Sequence, residues 1–233
     1  MAQAPAQEAG LVGRVLRLAL RVIVVALLAL AGLLVLWRFA PPVSTLMLAR
    51  YVTGRPVVRD YVPFERIAPA LVASVVMSED AKFCRHRGVD WQALGEVLDD
   101  ADEDGPSRGA STITMQVVKN LFLWPARSAI RKAFEIPLAL VLDLVWPKRR
   151  IMEVYLNIAE WGPDGVFGAE AAARADFRRS AATLTHHQAA LMAAALPNPI
   201  LRRPAHPTRG QARHARRVMG RLADAGPWLD CLK

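Results

Sequence analysis

The sequence predicts a mainly α-helical protein, with one apolar anchor helix ahead of a helical head. Three observations carry that expectation. No residue from Val22 to Trp37 is charged. From Pro69 onward apolar residues recur every three or four positions, the period of an amphipathic helix. No stretch alternates strongly enough to be read as a strand.

The 233 residues are enough for one domain with a real core plus an accessory segment. Thirty Lys and Arg face 21 acids, a formal charge of +9. That balance suits nucleic acid, anionic lipid or phosphorylated substrates. Cys84 and Cys231 allow one bridge and dictate none. There is no zinc-ligand spacing, no internal repeat and no phosphate-cradling glycine loop, so nucleotide chemistry is unsupported.

Residues 1–13 are small and polar and are expected to be a disordered tail. If Arg17 and Arg21 snorkel, residues 14–37 supply the roughly twenty residues that a spanning helix needs. Arg14, Arg17 and Arg21 precede the run and only Arg38 follows closely, which places the amino terminus in the cytoplasm. A cleaved signal peptide is the rival. The run is long for a signal core, however, and Phe39-Ala40-Pro41-Pro42 is a poor cleavage site, so an uncleaved anchor is expected. Residues 38–64 carry Pro41, Pro42, Pro56 and Pro63 and read as an irregular connector near the membrane surface.

Pro69 to Asp80 reads as a helix with Leu71, Val72, Val75 and Val76 on one side, closed by Glu79 and Asp80. Desolvation at the end of an apolar element can raise the pKa of Glu79, as a general base or acid at neutral pH requires. Lys82, Arg85 and Arg87 pull the other way. Without context the pair reads as a solvated helix end. Asp90 caps a second helix whose stripe is Trp91, Leu94, Val97 and Leu98, and residues 99–107 form an acidic loop with no assigned chemistry. Ser111 is the expected cap of a third helix, with Ile113, Val117 and Leu121 facing the core and Gln116, Lys119 and Asn120 on another face.

A long helix, Arg127 to Trp146 with a bend at Pro137, places Arg131, Lys132 and Glu135 together; by itself this is a helical salt bridge. After Pro147 a further helix aligns Arg150, Glu153 and Asn157 and turns Ile151, Tyr155 and Ile158 inward. Residues 161–165 read as a turn, and 168–175 as a helix of small residues. Thr185 caps the last apolar helix, which ends at Leu196. Residues 206–233 read as a basic helical tail, and Arg202 to Arg221 as a helical, solvated surface facing anionic lipid.

Five stretches, in one order, resemble the peptidoglycan glycosyltransferases (glycosyltransferase family 51), most closely their single-domain members. They are Glu79-Asp80-Ala81-Lys82-Phe83 with His86, Gly88 and Asp90; Gly109 to Thr114 with Gln116, Lys119 and Asn120; Arg131-Lys132 with Glu135; Lys148, Arg150 and Ile151 with Glu153, Tyr155-Leu156-Asn157, Gly162 and Gly168; and Leu184-Thr185 through Leu196-Pro197-Asn198-Pro199. The resemblance covers residues 65–205. Met115 stands where a second glutamine is common, and Gln188 where a glutamate is common.

The resemblance implies a lysozyme-like glycosyltransferase head with a small membrane-proximal lobe. It implies a reaction in which lipid II is the acceptor and a glycan on undecaprenyl pyrophosphate is the donor. Glu79 and Glu135 are the catalytic carboxylates it points to, Glu79 as the base. Glu135 is left open between orienting cations, holding a divalent metal and delivering a proton. Substrate would be held by Asp80, Phe83, His86, Ser111, Thr112, Gln116, Lys119, Asn120, Arg127, Arg131, Lys132, Lys148, Arg150 and Asn157. No organic cofactor is implied, and Mg2+ or Mn2+ stays open. The implied partners are membrane lipids and other cell wall synthesis proteins, not nucleic acid. The implied location is the bacterial inner membrane, single-pass, with the head periplasmic. No penicillin-binding domain is read after the head, so a monofunctional enzyme is expected. A lysozyme-like enzyme that cleaves peptidoglycan and a non-catalytic membrane scaffold are the rival readings.

Overall fold

The computed structural model describes residues 4–99, 110–124 and 128–233. The chain divides into two units, Met1–Ala40 and Pro41–Lys233. The first is one helix, α1 (Ala4–Phe39). In its segment Gly13–Phe39 the most apolar 18-residue window has a mean hydropathy of 2.8, and this is, among the described residues, the one helix long and apolar enough to cross a membrane. Leu16, Leu20, Ile23, Leu27 and Leu28 lie exposed along it, as side chains that face lipid do. The expected disordered tail is instead helical from Ala4. Alanine, glutamine and glutamate are strong helix formers, and here they extend a helix whose nucleus already exists.

The second unit begins with α2 (Thr45–Val52), capped by Ser44, whose Oγ accepts from the Met47 amide at 3.2 Å. Strand β1 (Val58–Arg59) and a 3-10 turn (Phe64–Arg66) follow. The expected irregular connector thus carries a helix and a strand, because its four prolines fall between these elements and leave each one free to form.

Helix α3 (Pro69–Glu79) starts on a proline at its first position and buries Leu71, Val72, Val75 and Val76. Helix α4 (Trp91–Asp99) is capped by Asp90, whose Oδ1 accepts from the Ala93 amide at 3.0 Å. Val97 is buried as expected, whereas Trp91 is 58% exposed. Apart from Asp99, the expected acidic loop lies outside the described residues. The cap of α5 (Ile113–Phe122) is Thr112, not Ser111: its Oγ1 accepts from the Met115 amide at 3.2 Å. Ile113, Val117 and Leu121 point into the core.

Helix α6 (Ala129–Val145) contains Pro137, and α7 (Lys148–Ile158) begins immediately after Pro147. Strands β2 (Glu160–Gly162) and β3 (Val166–Phe167) flank a 3-10 turn and pair antiparallel, while β1 joins β3 in parallel, giving the order β1-β3-β2. No strand was expected. These have two or three residues each, too few to show an alternating pattern.

Helices α8 (Ala169–Phe177), α9 (His186–Ala195) and α10 (Arg209–Leu222) complete the head. Thr185 and Gln188 form a reciprocal capping box at the start of α9. The buried alanines 189, 190, 193, 194 and 195 let α9 pack between α3 and α10. Here the reading of residues 206–233 as a solvated tail is corrected. Helix α10 buries Gln211, Ala215 and Val218 against its neighbours, a stripe too small and too polar to stand out among the arginines. Beyond it, a disulfide joins Cys231 to Cys84 in the loop after α3, and the Arg85 guanidinium stacks 3.5 Å from the Trp228 ring centroid.

Candidate active site

The carboxylate of Glu79 closes α3 and is largely withdrawn from water. Its Oε2 accepts from Gln116 Nε2 at 3.1 Å, and its Oε1 accepts from Ser78 Oγ at 3.5 Å. Tyr155, from α7, donates its hydroxyl to Gln116 Oε1 at 3.1 Å, which sets which end of the amide faces the acid. Every direct partner of Glu79 is therefore neutral. Burial pushes its pKa up; the Gln116 and Ser78 hydrogen bonds, then the charges of Lys119 and Arg202, oppose the rise without cancelling it. The cations expected to oppose it were Lys82, Arg85 and Arg87. Lys82 is turned instead toward Gln92 and Asp90, and Arg85 toward Trp228.

Asp80 does a different job one residue later. Both of its oxygens lie 3.0 Å from His86 Nε2, and Oδ2 also accepts from the Ile113 amide at 2.9 Å. That last bond fastens the end of α3 to the first turn of α5. Thr112 adds a second tie, its Oγ1 donating to the Gly88 carbonyl at 2.6 Å. Gly88 has φ +81°, and a Cβ there would run into the carbonyl oxygen of Ala139, so both the backbone and the space demand glycine.

The second cluster is built on α6. Glu135, 2% exposed, pairs with Arg131 Nη1 at 2.6 Å and Lys132 Nζ at 3.1 Å. Lys132 also donates to Ser111 Oγ at 3.0 Å. Lys119 approaches from α5; burial lowers its pKa first, and the nearby charge of Arg131 and then that of Lys132 lower it further. A cleft of about 230 Å³ is lined by Gln116, Lys119, Asn120, Tyr155 and Ser44. Another, of about 270 Å³, is lined by Glu79, Asp80, Lys82, Ser111 and Thr112. Glu79 borders one and its partner Gln116 the other.

Seven described residues expected to hold substrate border neither cleft: Arg131 and Lys132, which pair with Glu135, and five more. Phe83 is fully buried, with Lys148 Nζ 4.5 Å from its ring centroid, and Lys148 itself pairs with Asp143 at 2.6 Å. His86 is turned to Asp80. Arg150 is held by Glu153 and donates to the Tyr61 hydroxyl at 2.8 Å. Asn157, fully buried, exchanges two 2.9 Å hydrogen bonds with the Val62 backbone and so ties the segment after β1 to α7. Helical spacing places polar residues on one face but cannot say whether that face meets substrate or another part of the chain. Arg127 lies outside the described residues.

Among the described residues no cluster of three or more His, Cys, Asp or Glu could hold a metal ion. Glu135 has a cation on each oxygen, so its surroundings do not fit a resident divalent ion, which takes several oxygen ligands. One contact had no place in the sequence reading: His214 of α10 reaches Ser78 Oγ with its Nε2 at 3.1 Å. A single histidine among arginines carries no pattern that would have revealed it.

A buried base-like carboxylate beside a cation cluster, in a helical head that follows one membrane-length helix, describes an enzyme of group transfer at the membrane. The chain belongs to the transglycosylase family, whose model matches residues 46–223. It is 57% identical over 223 residues to the biosynthetic peptidoglycan transglycosylase of Brucella suis biovar 1 (strain 1330), covering 95% of this chain and 99% of that protein. The protein of that name from Nitrobacter hamburgensis is 55% identical over 212 residues, covering 88% and 94%. The one from Rhodopseudomonas palustris (strain TIE-1) is 54% identical over 222 residues, covering 95% and 94%. The match begins before the expected head boundary at 65 and ends after the one at 205, so it takes in most of α2 and all of α10. The lysozyme-like, mainly helical fold class stands as expected.

Proposed function

We propose that the protein polymerises lipid II into β-1,4-linked glycan, releasing undecaprenyl pyrophosphate. The observation that carries this is Glu79, largely withdrawn from water against Gln116 and Ser78 with its pKa pushed up by burial, and interacting with Lys119, which also interacts with Arg131 and Lys132. Glu79 takes the proton from the acceptor's 4-hydroxyl as that oxygen attacks the donor's anomeric carbon. Attack from the face opposite the pyrophosphate inverts the centre from α to β. Negative charge gathers on the departing pyrophosphate, and Lys119, Arg131 and Lys132 stabilise it where it forms. Glu135 holds Arg131 and Lys132 in position. Because Glu135 is already paired, Mg2+ or Mn2+ would enter with the pyrophosphate.

The membrane-length helix supports reading this as a single-pass membrane protein. We place it in the bacterial inner membrane with the head in the periplasm. The arginines ahead of the apolar run support that orientation, and so does the Cys84–Cys231 disulfide, which suits an oxidising compartment. Membrane lipids and other cell wall synthesis proteins are the proposed partners. The family match is to a transglycosylase, so transpeptidation is not part of the proposal. A labelled β-lactam that acylates the protein would overturn that point.

The test is polymerisation of labelled lipid II by the full-length protein in detergent, with and without added Mg2+. Long glycan from the wild type and none from Glu79→Gln is the expected result. Release of soluble muropeptides from purified cell wall would indicate cleavage instead. A Glu79→Gln protein that keeps its full role in cells would indicate a scaffold.

A further inference from the structure

A base used in every cycle must also discharge its proton in every cycle. Under the proposed function, the growing glycan occupies the side of Glu79 from which the proton arrived. The structure offers another way out. Gln116 covers Oε2, but Oε1 faces Ser78 Oγ at 3.5 Å, and Ser78 Oγ lies 3.1 Å from His214 Nε2. His214 sits half-buried on α10, in contact with Ser78 and partly open to solvent.

The groups acting on His214 suit it to pass protons on. Burial is the first influence on it, followed by the charges of Arg217 and Arg221 on α10 itself and of Arg202 from the segment after α9. All lower its pKa. Two of these arginines are anchored, Arg202 to the Ala194 carbonyl at 3.1 Å and Arg221 to the Met77 carbonyl at 3.3 Å. From α3 the facing groups are Ser78 and, beyond it, Glu79. An imidazole in such a field sheds a proton readily.

We infer that Ser78 and His214 form a proton exit from Glu79, leading through α10 to solvent on the side away from the glycan. The inference rests on Glu79 being the base. In the bond-forming step the acceptor's O–H bond breaks, a C–O bond forms, and the pyrophosphate leaves with the electron pair of the old C–O bond. The proton is then on Glu79. Once Glu79 is protonated, the Ser78 hydroxyl turns its hydrogen from Oε1 to His214 Nε2. Glu79 then passes its proton to Ser78 Oγ while the Ser78 hydrogen moves to His214 Nε2, and the imidazolium releases its Nδ1 proton to water. Exchange with water restores the starting tautomer. The balance is one proton from the acceptor to solvent, with no redox step. His214 acts through Ser78 and is a positioning and relay residue, not one that touches substrate.

The experiment uses full-length His214→Ala, His214→Gln and Ser78→Ala on labelled lipid II, with melting temperatures to confirm folding. His214→Ala should lower kcat about 10-fold with KM for lipid II unchanged, and added imidazole should restore much of the loss. His214→Gln can hydrogen-bond Ser78 but cannot carry a proton, so it should stay slow. Ser78→Ala breaks the middle link and should be slow and insensitive to imidazole. Full activity in His214→Gln, or no response of His214→Ala to imidazole, would reduce His214 to a packing contact. The base is tested separately: an active Glu79→Gln removes the base itself, whereas an inactive Glu79→Gln beside a normal His214→Ala removes only the relay.

Discussion

Two carboxylates of the head, Glu79 and Glu135, both interact with Lys119 and are held in opposite ways. Glu135 in α6 has a cation on each oxygen, Arg131 on one and Lys132 on the other. Glu79 at the end of α3 has an amide on one oxygen and a hydroxyl on the other. Withdrawing a carboxylate from water costs several kcal/mol unless charge and hydrogen bonds compensate it. At Glu135 two cations supply the compensation, and the residue organises them around it. At Glu79 it is partial, and the deficit appears as basicity. The same side chain becomes an anchor in one setting and a proton acceptor in the other.

The largest effect should come from Glu79→Gln, which we expect to reduce polymerisation about 10²–10⁴-fold. The same change should raise the melting temperature at neutral pH. A carboxylate whose folded pKa lies above its unfolded value favours folding when protonated, and that contribution is lost as pH rises through the folded pKa. The amide has no such loss. The stability gap should therefore close in acid, below the unfolded pKa of about 4.3. A variant that is less stable than wild type at neutral pH would break the contrast with Glu135.

Lys119→Ala comes next. Lys119 stands between the two settings, interacting with Glu79 and with the ions around Glu135. Turnover at saturating lipid II should fall about 10²–10³-fold, at low and high salt alike. A loss that shrinks as salt rises would mean that Lys119 is only surface charge.

Glu135→Gln should move stability opposite to Glu79→Gln. It strands two cations, and removing one partner of a buried ion pair costs about 3 kcal/mol. Thermal or urea unfolding of the two glutamine variants side by side checks the sign. Equal signs would mean that the two carboxylates are not held differently after all.

The smallest effect sharpens the comparison most. Gln116→Leu removes the hydrogen bond that most restrains the pKa of Glu79. The acid limb of the activity profile should move to higher pH, with a loss of about 5-fold on that limb for a bond worth about 1 kcal/mol. The loss should recover as pH rises. A pH-independent loss would show that Gln116 serves substrate alone.

Much of this was legible before any coordinates. The period of three and four placed Glu79 at the end of α3, Gln116 and Lys119 together on α5, and Glu135 beside Arg131 and Lys132 on α6. Caps at Asp90 and Thr185, and the stop at Pro147, are also local signals. Each depends on residues within about one helical turn of each other, a range over which a sequence states its own geometry.

What the sequence alone determined is therefore the helices from α3 onward, caps such as Asp90 and Thr185, and the residues each helix face presents. Only the tertiary structure decided what each face meets. Gln116 reaches Glu79 across 37 residues of chain, Asn157 reaches Val62 across 95, and His214 reaches Ser78 across 136. It also decided that Lys148, Arg150 and Asn157 turn to partners within the head, that Thr112 rather than Ser111 caps α5, and that α10 packs into the head. The physical reason is that a helix pattern repeats over a few residues, whereas these contacts arise only when separate helices bury their apolar faces against one another.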